Sequence, residues 1–104
     1  MTQKEIAGKT LTFDDEDFMV DPDQWDEEVA AALATEMGIS LTDRHFIVLN
    51  FMRQQFSDNG VAPSLRKIKN DSGVNTKELY QLFPKGPAKK AARIAGLGKP
   101  QGCI

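Results

Sequence analysis

TDRHFIVLNFMRQQFS, residues 42–57, sets His45, Phe46, Leu49, Met52, Arg53 and Phe56 three and four positions apart, with Ile47, Val48 and Phe51 filling the sides. That period is helical, and a helix apolar nearly all round belongs at the centre of a core. Thr42 stands where a capping hydroxyl is wanted, and Asp58-Asn59-Gly60 supplies the turn chemistry that ends the helix near Ser57. His45 is the sole histidine and faces the inner stripe with no second histidine or cysteine near it. It reads as a hydrogen-bonded structural residue rather than a metal ligand or a base.

Upstream, Lys4-Glu5-Ile6 and Lys9-Thr10-Leu11-Thr12-Phe13 flank Ala7-Gly8, which predicts a tight β-hairpin with the glycine supplying positive φ. Asp14 to Asp17 follows as a solvated turn, lacking the glycine and spacing of a calcium loop, and Phe18-Met19-Val20 as an apolar contact strip. Asp21-Pro22 opens a helix expected to run to about Met37 and stop at Gly38, with Trp25, Val29, Leu33 and Met37 along one stripe. Downstream, Pro63 starts a short helix through Asn70, Asp71-Ser72-Gly73 breaks it, and Asn75 or Thr76 caps another through Phe83. These two form a helix-turn-helix-like pair, but Lys77, Glu78 and Gln81 are a poor set for reading DNA.

Gly86-Pro87 opens a last helix that runs to Ala95. It is shorter than the roughly 12–15 residues at which an isolated helix becomes marginally stable, so it must dock through Ala88, Ala91, Ala92, Ile94 and Ala95. Beyond Gly96 no period remains. The chain therefore reads as one α+β domain, residues 1–104, mainly α, in which a β-hairpin sits on a helical bundle and residues 95–104 form a mobile C-terminal arm. Eight residues of such an arm reach about 26 Å when extended.

Composition sets the outer bounds. At 104 residues, 40% hydrophobic and 27% charged, the chain is of a size and balance to bury one core. No window approaches the roughly 18 apolar residues of a membrane span, and the N-terminus has no apolar run, so a soluble cytoplasmic protein is expected. The net charge of −2 hides a polarity: residues 1–38 carry eleven acids against Lys4 and Lys9, whereas from Leu79 onward there is no acid at all. Either the two halves attract each other across one fold, or the basic half also meets an acidic or RNA-bearing partner.

One cysteine excludes an intrachain disulfide and a cysteine zinc site, and no cofactor or metal is expected. That cysteine, Cys103, is penultimate, beside Gly102 and after a run of basic residues. A sulfur carrier needs such reach and little steric cover, because the thiolate must attack a donor persulfide and then present the outer sulfur to an acceptor. Cys103 is the predicted reactive residue, with Gly98, Lys99, Pro100, Gly102 and Arg66 as the surroundings of arm and thiol. Lys85, Lys89, Lys90 and Arg93 form the predicted partner-facing basic patch. An incidental surface thiol gives the same local pattern.

Leu79-Tyr80-Gln81-Leu82-Phe83-Pro84-Lys85-Gly86-Pro87-Ala88-Lys89, Ile94-Ala95-Gly96-Leu97, Lys99-Pro100 and Gly102-Cys103-Ile104 resemble the C-terminal signature of the DsrC/TusE family in order, spacing and the penultimate cysteine. Leu41-Thr42-x-x-His45-Phe46 and Pro63-x-x-Arg66 fit more loosely. The resemblance implies a small hairpin on an orthogonal helical bundle, and sulfur passed on the penultimate cysteine. Members that work with dissimilatory sulfite reductase have a second cysteine eleven positions earlier, and that position here is Ala92. The resemblance therefore favours a TusE-like sulfurtransferase, whose implied partners are a TusBCD-like relay complex as donor and the tRNA 2-thiouridylase as acceptor. A sulfite-reductase-type complex of dissimilatory sulfur metabolism and a DNA-binding regulatory module stay open as alternatives, although direct nucleic-acid binding is not expected.

Overall fold

The computed structural model describes residues 1–98. Two antiparallel strands, β1 (Thr2–Ile6) and β2 (Lys9–Phe13), begin the chain, with Lys4 opposite Leu11 and Ile6 opposite Lys9. Ala7 (φ 51°) and Gly8 (φ 76°) both lie in the left-handed region, the geometry that matches a two-residue hairpin to the strand twist. Ile6, Leu11 and Phe13 are buried on one face of this ribbon. Lys4 and Lys9 share that face and reach across it: the Lys4 ammonium lies 5.0 Å from the Phe13 ring centre, and Lys9 Nζ bonds Asp26 Oδ2 at 2.6 Å. The Asp14 carboxylate accepts from the N–H groups of Glu16 and Phe18, closing the acidic turn. Phe18 and Met19 then pack inward as expected, but Val20 is 46% exposed. Its N–H bonds Thr12 O, which holds the backbone against β2 and turns the side chain to solvent.

Among the described residues the remainder comprises five α-helices: α1 (Glu27–Glu36), α2 (Asp43–Asn59), α3 (Leu65–Asp71), α4 (Thr76–Leu82) and α5 (Pro87–Ile94). The helix expected to run unbroken from Asp21 is split. Pro22–Gln24 is a single 3₁₀ turn capped by Asp21, and Trp25 is extended (φ −76°, ψ 143°). Asp26 then caps α1 by accepting from Val29 N at 2.8 Å. Two capping acids five residues apart each claim a helix start, and Lys9 on the second oxygen of Asp26 secures the later one. The break swings Trp25 off the α1 stripe.

Nor is α2 the centre of the core. Its His45, Val48, Leu49 and Met52 are buried, while Ile47 on the opposite side is 40% exposed. The central element is α5, which packs against α1, α2, α3 and α4. Its Ala91 and Ala92, and Ala95 just after its last residue, are fully buried, and side chains that small let neighbouring backbones approach closely. At the start of α2, His45 Nδ1 accepts from Thr42 N at 3.0 Å in a capping box, and Nε2 faces Leu82 O at 2.9 Å. A carbonyl only accepts, so Nε2 carries the proton and Nδ1 is the acceptor. The histidine thus joins the first turn of α2 to the end of α4, the structural role expected of it. A bidentate pair of Arg44 with Glu78, 2.7 Å at each bond, makes a second tie between those helices.

Hydrogen bonding from Lys9, then from Val29 N, holds the Asp26 carboxyl below its ordinary 3.8, and Arg44 does the same to Glu78. A carboxylate depressed in the folded chain adds stability that is complete above its unfolded value and is lost as the pH falls through the folded one. Asp26→Asn, which keeps a capping oxygen but loses the charge, should therefore lower the urea midpoint at pH 7. The two midpoints should converge as the pH is taken below the depressed Asp26 value. A gap that stayed constant down to pH 2 would contradict the pairing.

Candidate functional site

The last turn of α5 leads into the segment that carries Cys103. A helix ends with carbonyls that have no partner within it, and here each one is taken. Ala91 O accepts from Ala95 N at 2.8 Å, Ala92 O from Leu97 N at 2.9 Å and Arg93 O from Gly96 N at 3.2 Å. The last two bonds, with Gly96 at φ 73°, make a Schellman motif. Ile94 O accepts from the indole Nε1 of Trp25 at 2.6 Å, and Ala95 O from Nη1 of Arg53 at 2.7 Å. Arg53 Nη2 also bonds Pro22 O at 3.1 Å, and the guanidinium carbon lies 4.3 Å from the Trp25 ring centre. Burial pulls the Arg53 pKa down from its ordinary value and the Asp23 charge opposes this; a guanidinium stays protonated in either case.

Gly96 is required here for two reasons. A side chain at positive φ is strained, and a Cβ at this position would lie 2.6 Å from Trp25 Cδ1 and 2.8 Å from Trp25 Cβ. The next residue, Leu97, is 0% exposed, which contributes about 2 kcal/mol of apolar burial. Residues 95–97, which the sequence reading gave to the arm, are therefore part of the packed body. Gly98, partly buried, is the last described residue.

Cys103, Lys99, Pro100 and Gly102 lie outside the described residues. Arg66 is exposed on α3 and pairs with no described residue, whereas its neighbour Lys67 is bound to Asp71 at 2.7 Å. Lys85 and Lys89 are exposed and Lys90 is partly buried around the start of α5. Arg93 leaves the patch predicted for it. Its Nη2 donates to Glu16 O at 2.7 Å and its guanidinium carbon lies 5.1 Å from the Phe18 ring centre. It is a strut between α5 and the acidic turn, and it lines a cleft of about 280 Å³ with Lys4, Asp17 and Glu36. The pairs Lys4–Asp17, Lys9–Asp26, Arg44–Glu78 and Lys67–Asp71 each join residues of the same half of the chain. Among the described residues none of these pairs includes Lys85 or Lys89.

Ala92, where the two-cysteine pattern would place its second thiol, is fully buried in α5. Sequence reasoning missed Trp25 and Arg53 at this site. The visible sign was an arginine on the inner stripe of α2, among Leu49, Met52 and Phe56. Among the described residues no three His, Cys, Asp or Glu side chains converge as metal ligands would, and no helix is long and apolar enough to cross a membrane.

A hairpin on five helices, with α5 anchored at its end, defines a small α+β domain that is mainly α. The family model described as DsrC like protein matches residues 5–104. Sulfurtransferase TusE of Pectobacterium atrosepticum is 39% identical, over 96% of this chain and 98% of that protein. The gamma subunit of dissimilatory-type sulfite reductase from Nitratidesulfovibrio vulgaris is 34% identical over 100% of both chains. The crystal structure of the oxidized gamma subunit (DsrC) of dissimilatory sulfite reductase from Archaeoglobus fulgidus superposes with a TM-score of 0.84 at 41% identity, covering 99% of this chain and 100% of that one. The chain belongs to the DsrC-like family.

Gly96→Ala should destabilise the protein by at least about 2 kcal/mol, the left-handed strain plus the collision with Trp25. Gly73 also has positive φ, but a Cβ there meets nothing within 4 Å. Gly73→Ala should therefore cost only about 1 kcal/mol in urea unfolding. Equal costs at the two positions would remove Trp25 from the explanation.

Proposed function

We propose that the protein is a sulfur carrier that accepts sulfane sulfur on Cys103 and passes it to a second protein, in the cytoplasm and on a path to tRNA 2-thiouridine. The single observation that carries this reading is the sole cysteine, penultimate in a chain of the DsrC-like family whose relatives include proteins named sulfurtransferase. The Cys103 thiolate attacks the outer sulfur of a donor persulfide. A new S–S bond forms, the donor's S–S bond breaks, and the donor leaves as its thiolate, so the exchange needs no outside oxidant or reductant. Delivery repeats the step in reverse sense: an acceptor thiolate takes the outer sulfur and Cys103 is released as a thiolate. The chain from Gly98 onward serves as the arm, and the exposed Lys85 and Lys89 beside α5 serve as the surface for an acidic donor or acceptor.

Full-length similarity to a sulfite reductase gamma subunit favours a second reading, a role in dissimilatory sulfur metabolism. Ala92 bears on the choice. Chemistry that closes a disulfide or trisulfide within one chain needs a second thiol, and this chain has none. Any product on Cys103 is therefore a persulfide or a bond to another molecule.

Reduced protein incubated with glutathione persulfide should gain the mass of one sulfur atom, located on the peptide containing Cys103 and released by dithiothreitol. Cys103→Ser should gain nothing. Absence of loading under conditions that load an established carrier protein would overturn the reading.

A further inference from the structure

We propose that Arg53 and Trp25 are positioning residues for the arm: by holding the last turn of α5 they fix the point and direction from which the chain leaves the body at Gly98. This rests on the sulfur-carrier reading only for what the arm delivers. The contacts at the end of α5 stand without it.

Leu97 N and Gly96 N already satisfy two of the terminal carbonyls through the Schellman motif, which suffices to end a helix. Ile94 O and Ala95 O are the two that remain, and both are reached from outside α5. The donors come from 69 and 42 residues earlier in the chain. Arg53 lies in α2 and Trp25 in the extended break before α1, so the turn is fixed against two separate elements.

A guanidinium has the planar fork needed to bond Ala95 O and Pro22 O at once while lying over an indole. The ammonium of a lysine does not. The two bonds satisfy the carbonyls of Ala95 and Pro22, which adds stability and offsets the cost of burying part of a charge. What the arginine adds besides is directional: bonds at fixed angles to the last carbonyl before Gly96. A helix end held in this way gives the thiol-bearing segment a defined origin, which limits the volume Cys103 explores and raises its effective concentration at a docked partner's reacting sulfur.

The chain supplies its own probes, since Trp25 is the sole tryptophan and Cys103 the sole cysteine. Cys103 is labelled with an aminonaphthalenesulfonate acceptor, and time-resolved energy transfer from Trp25 gives the distribution of their separation, each variant being referenced to its own unlabelled decay. In Arg53→Leu the mean should shift and the distribution broaden relative to the parent chain. Arg53→Lys, which keeps charge and one donor, should fall between them and serves as the test if Arg53→Leu does not fold. A distribution identical to the parent's in a folded variant, even with a lowered urea midpoint, would reduce Arg53 to a structural strut and overturn the proposal. Failure of the parent chain itself to load would instead count against the sulfur-carrier reading and leave the distance result intact.

Discussion

Five consecutive carbonyls, from Ala91 to Ala95, find donors at the end of α5, and the position of that helix depends on those bonds. A helix of eight residues has too few internal hydrogen bonds to persist alone. It is held by packing along its small-residue face and by this closure at its end. Because α1, α2, α3 and α4 all pack on α5, anything that loosens its last turn is felt through the rest of the bundle. Trp25 is the critical member of the set. Its indole N–H is a donor to Ile94 O, its ring is the surface on which the Arg53 guanidinium rests, and its flank occupies the space that a side chain at position 96 would need.

That one contact also explains the break in the N-terminal helix. An unbroken helix from Asp21 would keep Trp25 on the stripe with Val29 and Leu33. The extended Trp25 instead leaves the stripe and meets α5, and Asp26, paired with Lys9 of the hairpin, restarts the helix one residue later. The hairpin, the acidic turn and α1 are thus arranged around the end of α5: Lys9 secures the restart, and Arg93 reaches back to Glu16. The N-terminal third of the chain forms the socket into which the end of α5 is set.

Local chemistry made much of this legible in the sequence. The hairpin, the caps at Thr42 and Asn75, the proline that opens α5, the stop at Gly60 and the buried alanines of α5 follow from turn residues, capping residues and short-range periodicity. The exceptions each depended on a partner distant in sequence. Whether Asp21 or Asp26 starts the helix is decided by Lys9 and Trp25. Ile47 belongs to an apolar helix, and it is exposed because α5 occupies the centre that α2 was expected to hold. Arg93 reads as one more base in a basic run, yet Glu16 O and the Phe18 ring claim it. At the candidate site the family signature contained Gly96, but nothing in it pointed to the tryptophan and arginine that act on that glycine's neighbourhood. Gly96 and Leu97 read as an arm because their composition is aperiodic, and a Schellman motif followed by a buried leucine has no period to show.

The amide of Leu97 offers the most direct measurement. Its N–H is bonded to Ala92 O, and its side chain is fully buried. In native-state hydrogen exchange followed by NMR, the Leu97 amide should be protected to the same degree as the amides inside α5, opening only when the domain unfolds as a whole. If it exchanged as fast as an amide of the exposed acidic turn, the closure at the end of α5 would open locally, and the anchored last turn would be contradicted.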